Sequence, residues 1–412
     1  MNFRNGSTVF RSFWQAGFEC STQTLRTGKR LDLVSSTDHE LFCEEDYARL
    51  SQMGILTVRE GLRWHLIEAQ AGRYDFSSVL PFLEAAQRHG IQIIWDLCHF
   101  GWPDRLDVFG RAWIDSLAGL ASAFGRLLRR EMSEVAIVAP INEISFLSWG
   151  GGEVGYLNPF AVDRGNELKR QLVKGSIDAT DALRAELPDL RLVAPEPVIH
   201  IVGDAGTEGH AAEAERLRVA MFEAWDMLSG RAEPELGGSE HHLDILGMNY
   251  YDRNQWRHEG TFITRHEPDY RPFREIMQEV YRRYRRPLFI SETGTEDDDR
   301  PHRLAYIAEE VRAAQSKGVP IDGVCLYPIL NHPGWDDDRH CHNGLWDYAA
   351  ADGGREVYEP LAAELQRQIR LQREIYETPD MPIGPTRFDL PVPSALEFRL
   401  STTPAFDEQI RP

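Results

Sequence analysis

Residues 135–145 read VAIVAPINEIS, and residues 286–295 read RPLFISETGT. In each stretch an apolar run rich in β-branched residues ends at a glutamate, Glu143 in the first and Glu292 in the second. Such a short apolar run reads as a strand buried on both faces, as in a parallel sheet. Burying a carboxylate is costly. A glutamate placed where the apolar run stops therefore marks the end of the strand as a place where charge is used.

Six further short apolar or β-branched runs recur, each followed by a polar loop and a helical pattern. They begin at Phe13 (FWQAGFEC), Ile55 (ILTVREGLRW), Ile91 (IQIIWDLCHF), Leu190 (LRLVAPEPVI), Leu243 (LDILGMNYY) and Ile321 (IDGVCLYPIL), and with those from Glu134 and Pro287 they make eight. Amphipathic segments lie between them, such as residues 79–90 (VLPFLEAAQRHG) and 302–318 (HRLAYIAEEVRAAQSKG). Each closes on a basic residue and a glycine, the pattern of a helix C-terminus. Strands alternating with helices imply parallel pairing through helical crossovers. Eight such units predict an α/β fold, a single-domain (β/α)8 TIM barrel over residues 1–376 with its last helix at 356–376. Residues 377–412 are punctuated by proline and predict an extended C-terminal tail.

Composition narrows the partners. Of 412 residues, 45 are Lys or Arg and 65 are Asp or Glu, a net charge of −20. That surface repels phosphate backbones and anionic lipid, so no nucleic-acid or membrane partner is expected. No apolar stretch approaches the ~20 residues of a spanning helix, and the N-terminus has no apolar signal core. Five cysteines, an odd number without regular spacing, read as reduced thiols of a cytoplasmic protein. A homo-oligomer remains compatible with all of this.

In a barrel of this kind the active site lies at the C-terminal ends of the strands. Glu143 ends the fourth run and Glu292 the seventh, so the fold brings together residues 149 positions apart. Two carboxylates at one mouth suit cleavage of a glycosidic bond, one protonating the leaving oxygen and the other attacking the anomeric carbon or activating water. The plainer alternative is two solvated glutamates, each paired to a neighbouring cation.

Several motifs resemble family 1 glycoside hydrolases of the clan A β-glycosidases. INEIS resembles that family's Asn-Glu-Pro acid/base motif, and PLFISETG is similar to its nucleophile motif. DILGMNYY is similar to its Asp-Phe-Ile-Gly-Leu-Asn-Tyr-Tyr. VREGLRW keeps an arginine and a tryptophan five apart, as Arg59 and Trp64, and HFGWP keeps the His-x-x-x-Pro spacing from His99 to Pro103. Trp335 and Gly344 stand nine apart, as in the family. The resemblance runs from about Phe13 to Tyr358 and implies a retaining β-glycosidase that needs no cofactor and no metal. It implies Glu143 as acid/base, Glu292 as nucleophile, Arg59 as the partner of Glu292, Asn142 on the sugar 2-hydroxyl and Tyr251 beside the nucleophile. His99 and Trp335 would contact the sugar, with Asn249 and Trp102 of the same motifs. On residues alone, Arg59 could instead pair with Glu60 or Asp96, and His99 could be a hydrogen-bonded core histidine. Asn249 and Tyr251 are two apart, which places both on one face of a strand.

Two departures bear on specificity. The family's glutamate that grips the 4- and 6-hydroxyls falls on Gly334 in YPILNHPGW, which would leave that space vacant. The family's first-strand glutamine falls on Thr22, with Gln23 one off and Glu19 as a stand-in. The loop GWDDDRHCHNG offers His332 just before it, and Arg339, His340 and His342 within it, as contacts for a substrate group beyond Gly334. The glycines of SWGGGEVG (residues 148–155) would form a flexible wall of the aglycone cleft. The expected substrate is a small glycoside or oligosaccharide. A transglycosidase would use the same residues, and a non-catalytic sugar-binding barrel is the competing class.

Overall fold

The computed structural model describes residues 9–204 and 206–377. Eight strands close into a parallel barrel: β1 (Trp14–Gly17), β2 (Thr57–Gly61), β3 (Gln92–Cys98), β4 (Ile137–Ile141), β5 (Arg191–Pro197), β6 (Ile245–Asn249), β7 (Leu288–Thr293) and β8 (Ile321–Leu326). Each pairs with its neighbours in sequence, and β1 closes the ring on β8, with Trp14 opposite Val324 and Ala16 opposite Val58 of β2. Each strand falls within one of the eight apolar runs, so the (β/α)8 expectation holds. The last helix, Glu359–Glu377, starts three residues later than the sequence suggests. The expected tail lies outside the described residues, apart from Glu377 in that helix. Among the described residues, no helix is long and apolar enough to cross a membrane.

Side chains alternate along each strand, and the alternation sorts two cores. Ile93 and Trp95 of β3 belong to the outer core beneath the helices, where the ring of Trp95 meets Phe124 of the helix Arg111–Glu131. Ile94 points the other way. With Ile137, Ala139, Val193, Ile245 and Phe289 it forms a separate apolar cluster inside the barrel, which Phe10 joins with its ring 4.9 Å from that of Phe289. Two residues further along, the same inward positions turn polar: Ile94 gives way to Asp96, Phe289 to Ser291, and Ile245, after Gly247, to Asn249. The barrel is therefore apolar at its floor and hydrogen-bonding at its mouth.

The helix Leu80–His89 ends on Gly90, whose φ of 66° closes the helix by donating its N–H to Ala86. The glycines of residues 150–152 are buried in a packed π-helical turn, Ser148–Glu153, and a Cβ on Gly151 would lie 2.8 Å from the Asn158 carbonyl. This segment is packed rather than the flexible wall expected of it. Cys20, Cys43, Cys98, Cys325 and Cys341 are all free and buried.

Candidate active site

Glu143 lies two residues past β4, after Asn142. Its backbone adopts φ 47° and ψ 62°, a left-handed conformation that costs a non-glycine residue about 1–3 kcal/mol and persists only where neighbours enforce it. Two bonds do so here. The Glu143 N–H donates to the Pro195 carbonyl of β5 at 3.0 Å, and the Leu147 N–H donates back to the Glu143 carbonyl at 2.9 Å. The side chain is almost buried, and its Oε1 accepts from Asn249 Nδ2 at 2.8 Å. Asn249 Oδ1 accepts in turn from the Ser291 hydroxyl. Burial first, then the negative charges of Glu292 and Glu196, push the Glu143 carboxyl up to about 8, against the pull of Asn249.

Glu292 ends β7 in register with Asn249 of β6. Its Oε1 accepts from Arg59 Nη1 at 2.7 Å and its Oε2 from the Tyr251 hydroxyl at 2.9 Å. Arg59 is fully buried and spends its other donors on Asp96, through Nε at 3.0 Å and Nη2 at 2.7 Å, and on Asn142 Oδ1 at 2.6 Å. Burial would raise the Asp96 carboxyl, but Arg59 and His99 outweigh it and hold it below the usual range. Both alternatives considered for Arg59 are resolved at once. It pairs with Asp96 as well as with Glu292, while Glu60 is held by His39 at 2.9 Å and Tyr47 at 2.8 Å. Asn142 turns its oxygen to Arg59, so its Nδ2 donates to His99 Nε2 at 3.1 Å. His99 Nδ1 then carries the proton and donates to Asp96 Oδ2 at 2.8 Å.

Seven of the residues singled out in the sequence, Arg59, His99, Asn142, Glu143, Asn249, Tyr251 and Glu292, thus fall into one network at the mouth. The other three lie differently. Glu19 is almost buried but folds onto its own turn, accepting from the Ser21 N–H at 3.0 Å. Trp335 is half-buried, with its ring 5.6 Å from Phe100. Trp102, expected in the sugar pocket, lies in the outer core with its ring 6.0 Å and edge-on to Trp113, which also packs on Trp64. The turn at Phe100, φ 63°, redirects the chain after His99, and Phe100 rather than Trp102 packs on His99 and Trp335.

The space beyond Gly334 is not vacant. Gly334 sits in a hairpin between His332–Pro333 and His340–Cys341, and a Cβ there would lie 2.1 Å from Asp337 Oδ1. Three of the four basic groups expected to reach a substrate are engaged, and the fourth, His342, is exposed with its ring stacked on His340. Arg339 holds Glu296 through two bonds of 2.7 and 2.6 Å, His340 pairs with Asp347 at 2.8 Å, and His332 accepts from Asn343 at 3.0 Å.

Asp96, Glu196, Phe100 and Tyr327 were missed as site residues. Tyr327 is buried, lies parallel to His99 at 5.9 Å and brings its hydroxyl 3.6 Å from Cys20 Sγ. Glu196 carries a readable signal, since it interrupts an apolar run. Among the described residues, two groups place potential metal-ligand atoms within 4.8 Å of one another: Cys20, Asp96 and His99 at the mouth, and His210, His258 and Glu259 away from it. In the first, Arg59 already supplies the positive charge that Asp96 needs, so the set works as a hydrogen-bond network.

Fold and site define a (β/α)8 barrel with two differently held carboxylates at the ends of β4 and β7. Among solved structures, the family 1 β-glucosidase of Thermotoga maritima superposes with a TM-score of 0.70 at 15% identity, over 87% of this chain and 97% of that one. Its complex with glucoimidazole gives 0.71 at 15% identity, over 90% and 99%. The chain therefore has the fold of the family 1 β-glucosidases. No family profile and no curated protein matches its sequence.

Proposed function

We propose that this protein is a retaining β-glycosidase acting on a small β-linked glycoside or oligosaccharide. The observation that carries the reading is the unlike treatment of two glutamates at one mouth. Glu292 accepts from a buried guanidinium and a phenol, while Glu143 has only a neutral amide donor and acidic neighbours. Glu143 keeps its proton near neutral pH and gives it to the glycosidic oxygen as the bond to the anomeric carbon breaks. Glu292 attacks that carbon and forms a covalent glycosyl-enzyme. Glu143, now ionised, takes a proton from water, whose oxygen displaces Glu292 with a second inversion. Asn142 and His99 lie beside Arg59, placed to bind sugar hydroxyls. The solved structures of like fold include a β-glucosidase bound to sugar mimics such as glucoimidazole, which supports the same substrate class. Gly334 and the engaged Arg339 argue for a glycone gripped differently at C4 and C6 than in that family.

The test is proton NMR of the first product released from a panel of aryl β-glycosides, with methanol added as a competing acceptor. Initial release of the β-anomer is expected. An α-anomer released first would replace the covalent mechanism by direct attack of water, and exclusive transfer to methanol would make the protein a transglycosidase. No turnover on any glycoside, with binding retained, would favour the sugar-binding barrel.

A further inference from the structure

A third glutamate stands behind the acid/base and takes no part in the chemistry above. Glu196 lies near the end of β5, opposite Met248 of β6 and one residue short of the level of Asn249. It is 1% exposed. Its Oε2 accepts the Ser145 N–H at 3.0 Å, and the Glu143 N–H binds the carbonyl of Pro195, the residue just before it. The strained turn bearing Glu143 is thus fastened to β5 at two adjacent points, one of them a carboxylate. We propose that Glu196 is a positioning residue for Glu143: its side chain anchors the left-handed turn and sets a second buried carboxyl group behind the acid/base. This rests on the assignment of Glu143 as acid/base.

The surroundings allow both effects. On the Glu196 side stand the Ser145 peptide from the loop after β4 and Lys169 from the helix Gly165–Glu186. His242, from the turn Glu240–His242, lines the same small buried cavity as Glu196. Lys169 is already paired with Glu223, and His242 binds Asp181 at 3.0 Å. On the Glu143 side stand Glu292 from β7, Asn249 from β6 and His99 from the loop after β3. Burial pushes the Glu196 carboxyl up to about 7, against the pull of Ser145 and Lys169, and Glu143 is pushed to about 8. Negative charge on Glu196 opposes loss of the proton from Glu143, so the two groups titrate as a coupled pair. The acid form of Glu143 is thereby extended to higher pH.

The decisive experiment follows the carboxyl resonances of Glu143 and Glu196 by carbon NMR in the full-length protein, alongside the pH dependence of kcat/KM. In the unaltered protein the Glu143 resonance should titrate in two steps, the first coinciding with Glu196. In Glu196→Gln, which removes the charge and keeps a hydrogen-bond acceptor, the Glu143 midpoint and the basic limb should both fall by about one pH unit. Glu196→Asp, which keeps the charge, should hold the limb near its original position. A single-step titration of Glu143 in the unaltered protein, or an unmoved midpoint in a folded Glu196→Gln, overturns the proposal. If no glycoside is turned over, the NMR midpoints still decide the coupling, and only the functional reading fails.

Discussion

Glu292 and Glu143 are the same side chain at the C-terminal ends of two strands, Glu292 inside β7 and Glu143 two residues past β4, and their surroundings differ. Around Glu292 the barrel supplies donors. Arg59 reaches across from β2 and Tyr251 down from the loop after β6, so both carboxylate oxygens accept a hydrogen bond. Around Glu143 it supplies one amide, from Asn249, and two more carboxyl groups, Glu292 and Glu196. Burial among acids favours the proton on Glu143. On the proposed reading, this contrast in surroundings assigns a nucleophile and an acid without any difference in the side chain itself, as paired carboxylates divide their roles elsewhere.

The sharpest way to break this comparison is to delete each carboxylate. Glu292→Ala removes the proposed nucleophile and should lower kcat by about 10⁵-fold or more. Glu143→Ala should cost about 10²–10⁴-fold on substrates whose leaving group needs a proton, and far less on activated aryl glycosides. Azide separates the two further. It should rescue Glu143→Ala by attacking the glycosyl-enzyme, giving a β-glycosyl azide. Rescue of Glu292→Ala should come by direct displacement and give the α-azide. Products of the opposite configuration in the two variants would exchange the roles.

The residues involved were readable to different depths. All eight strands could be seen because a strand buried on both faces leaves a short run of mostly apolar or β-branched residues. Glu143 and Glu292 stood out because charge interrupts such a run. The partners depend on which strands become neighbours. Asp96 lies three residues before His99 and shares the inward parity of Ile94, but only the pairing of β2 with β3 brings it to Arg59. Loop positions were the least legible. Counting positions suggested an empty space at Gly334, whereas the hairpin folds Asp337 into it. Counting likewise favoured Trp102, and the left-handed turn at Phe100 reassigned it.

A smaller perturbation asks how much of the contrast one donor carries. Tyr251→Phe leaves Arg59 on Glu292 and removes only the 2.9 Å phenol bond. A hydrogen bond to a charged group contributes about 1.5–3 kcal/mol, so kcat/KM should fall by about 10–100-fold, with little change in unfolding free energy beyond that of one lost bond. A loss as large as that of Glu292→Ala would mean that Tyr251 does more than hold the nucleophile. No loss would mean that Arg59 alone sets its state.

The smallest effect on activity is expected at Trp102, and it tests where the site ends and the core begins. The ring lies against Trp113, itself fully buried between Trp64 and Trp102 and tight against the Gly175 backbone, where a Cβ would meet its ring at 2.5 Å. Trp102→Phe would open space in that aromatic stack without touching the hydrogen-bonded network of Arg59, Asn142 and His99. The unfolding free energy should drop by about 1–3 kcal/mol, the range for a partly relaxed large-to-small core change. KM for an aryl glycoside should stay within about twofold, since a twofold change is under ~0.5 kcal/mol of binding. Denaturant unfolding and steady-state kinetics on one preparation measure both. If KM instead rises about tenfold while stability is unchanged, Trp102 turns toward the sugar when substrate binds, and the polar mouth extends one residue deeper into the loop after β3 than the packing against Trp113 implies.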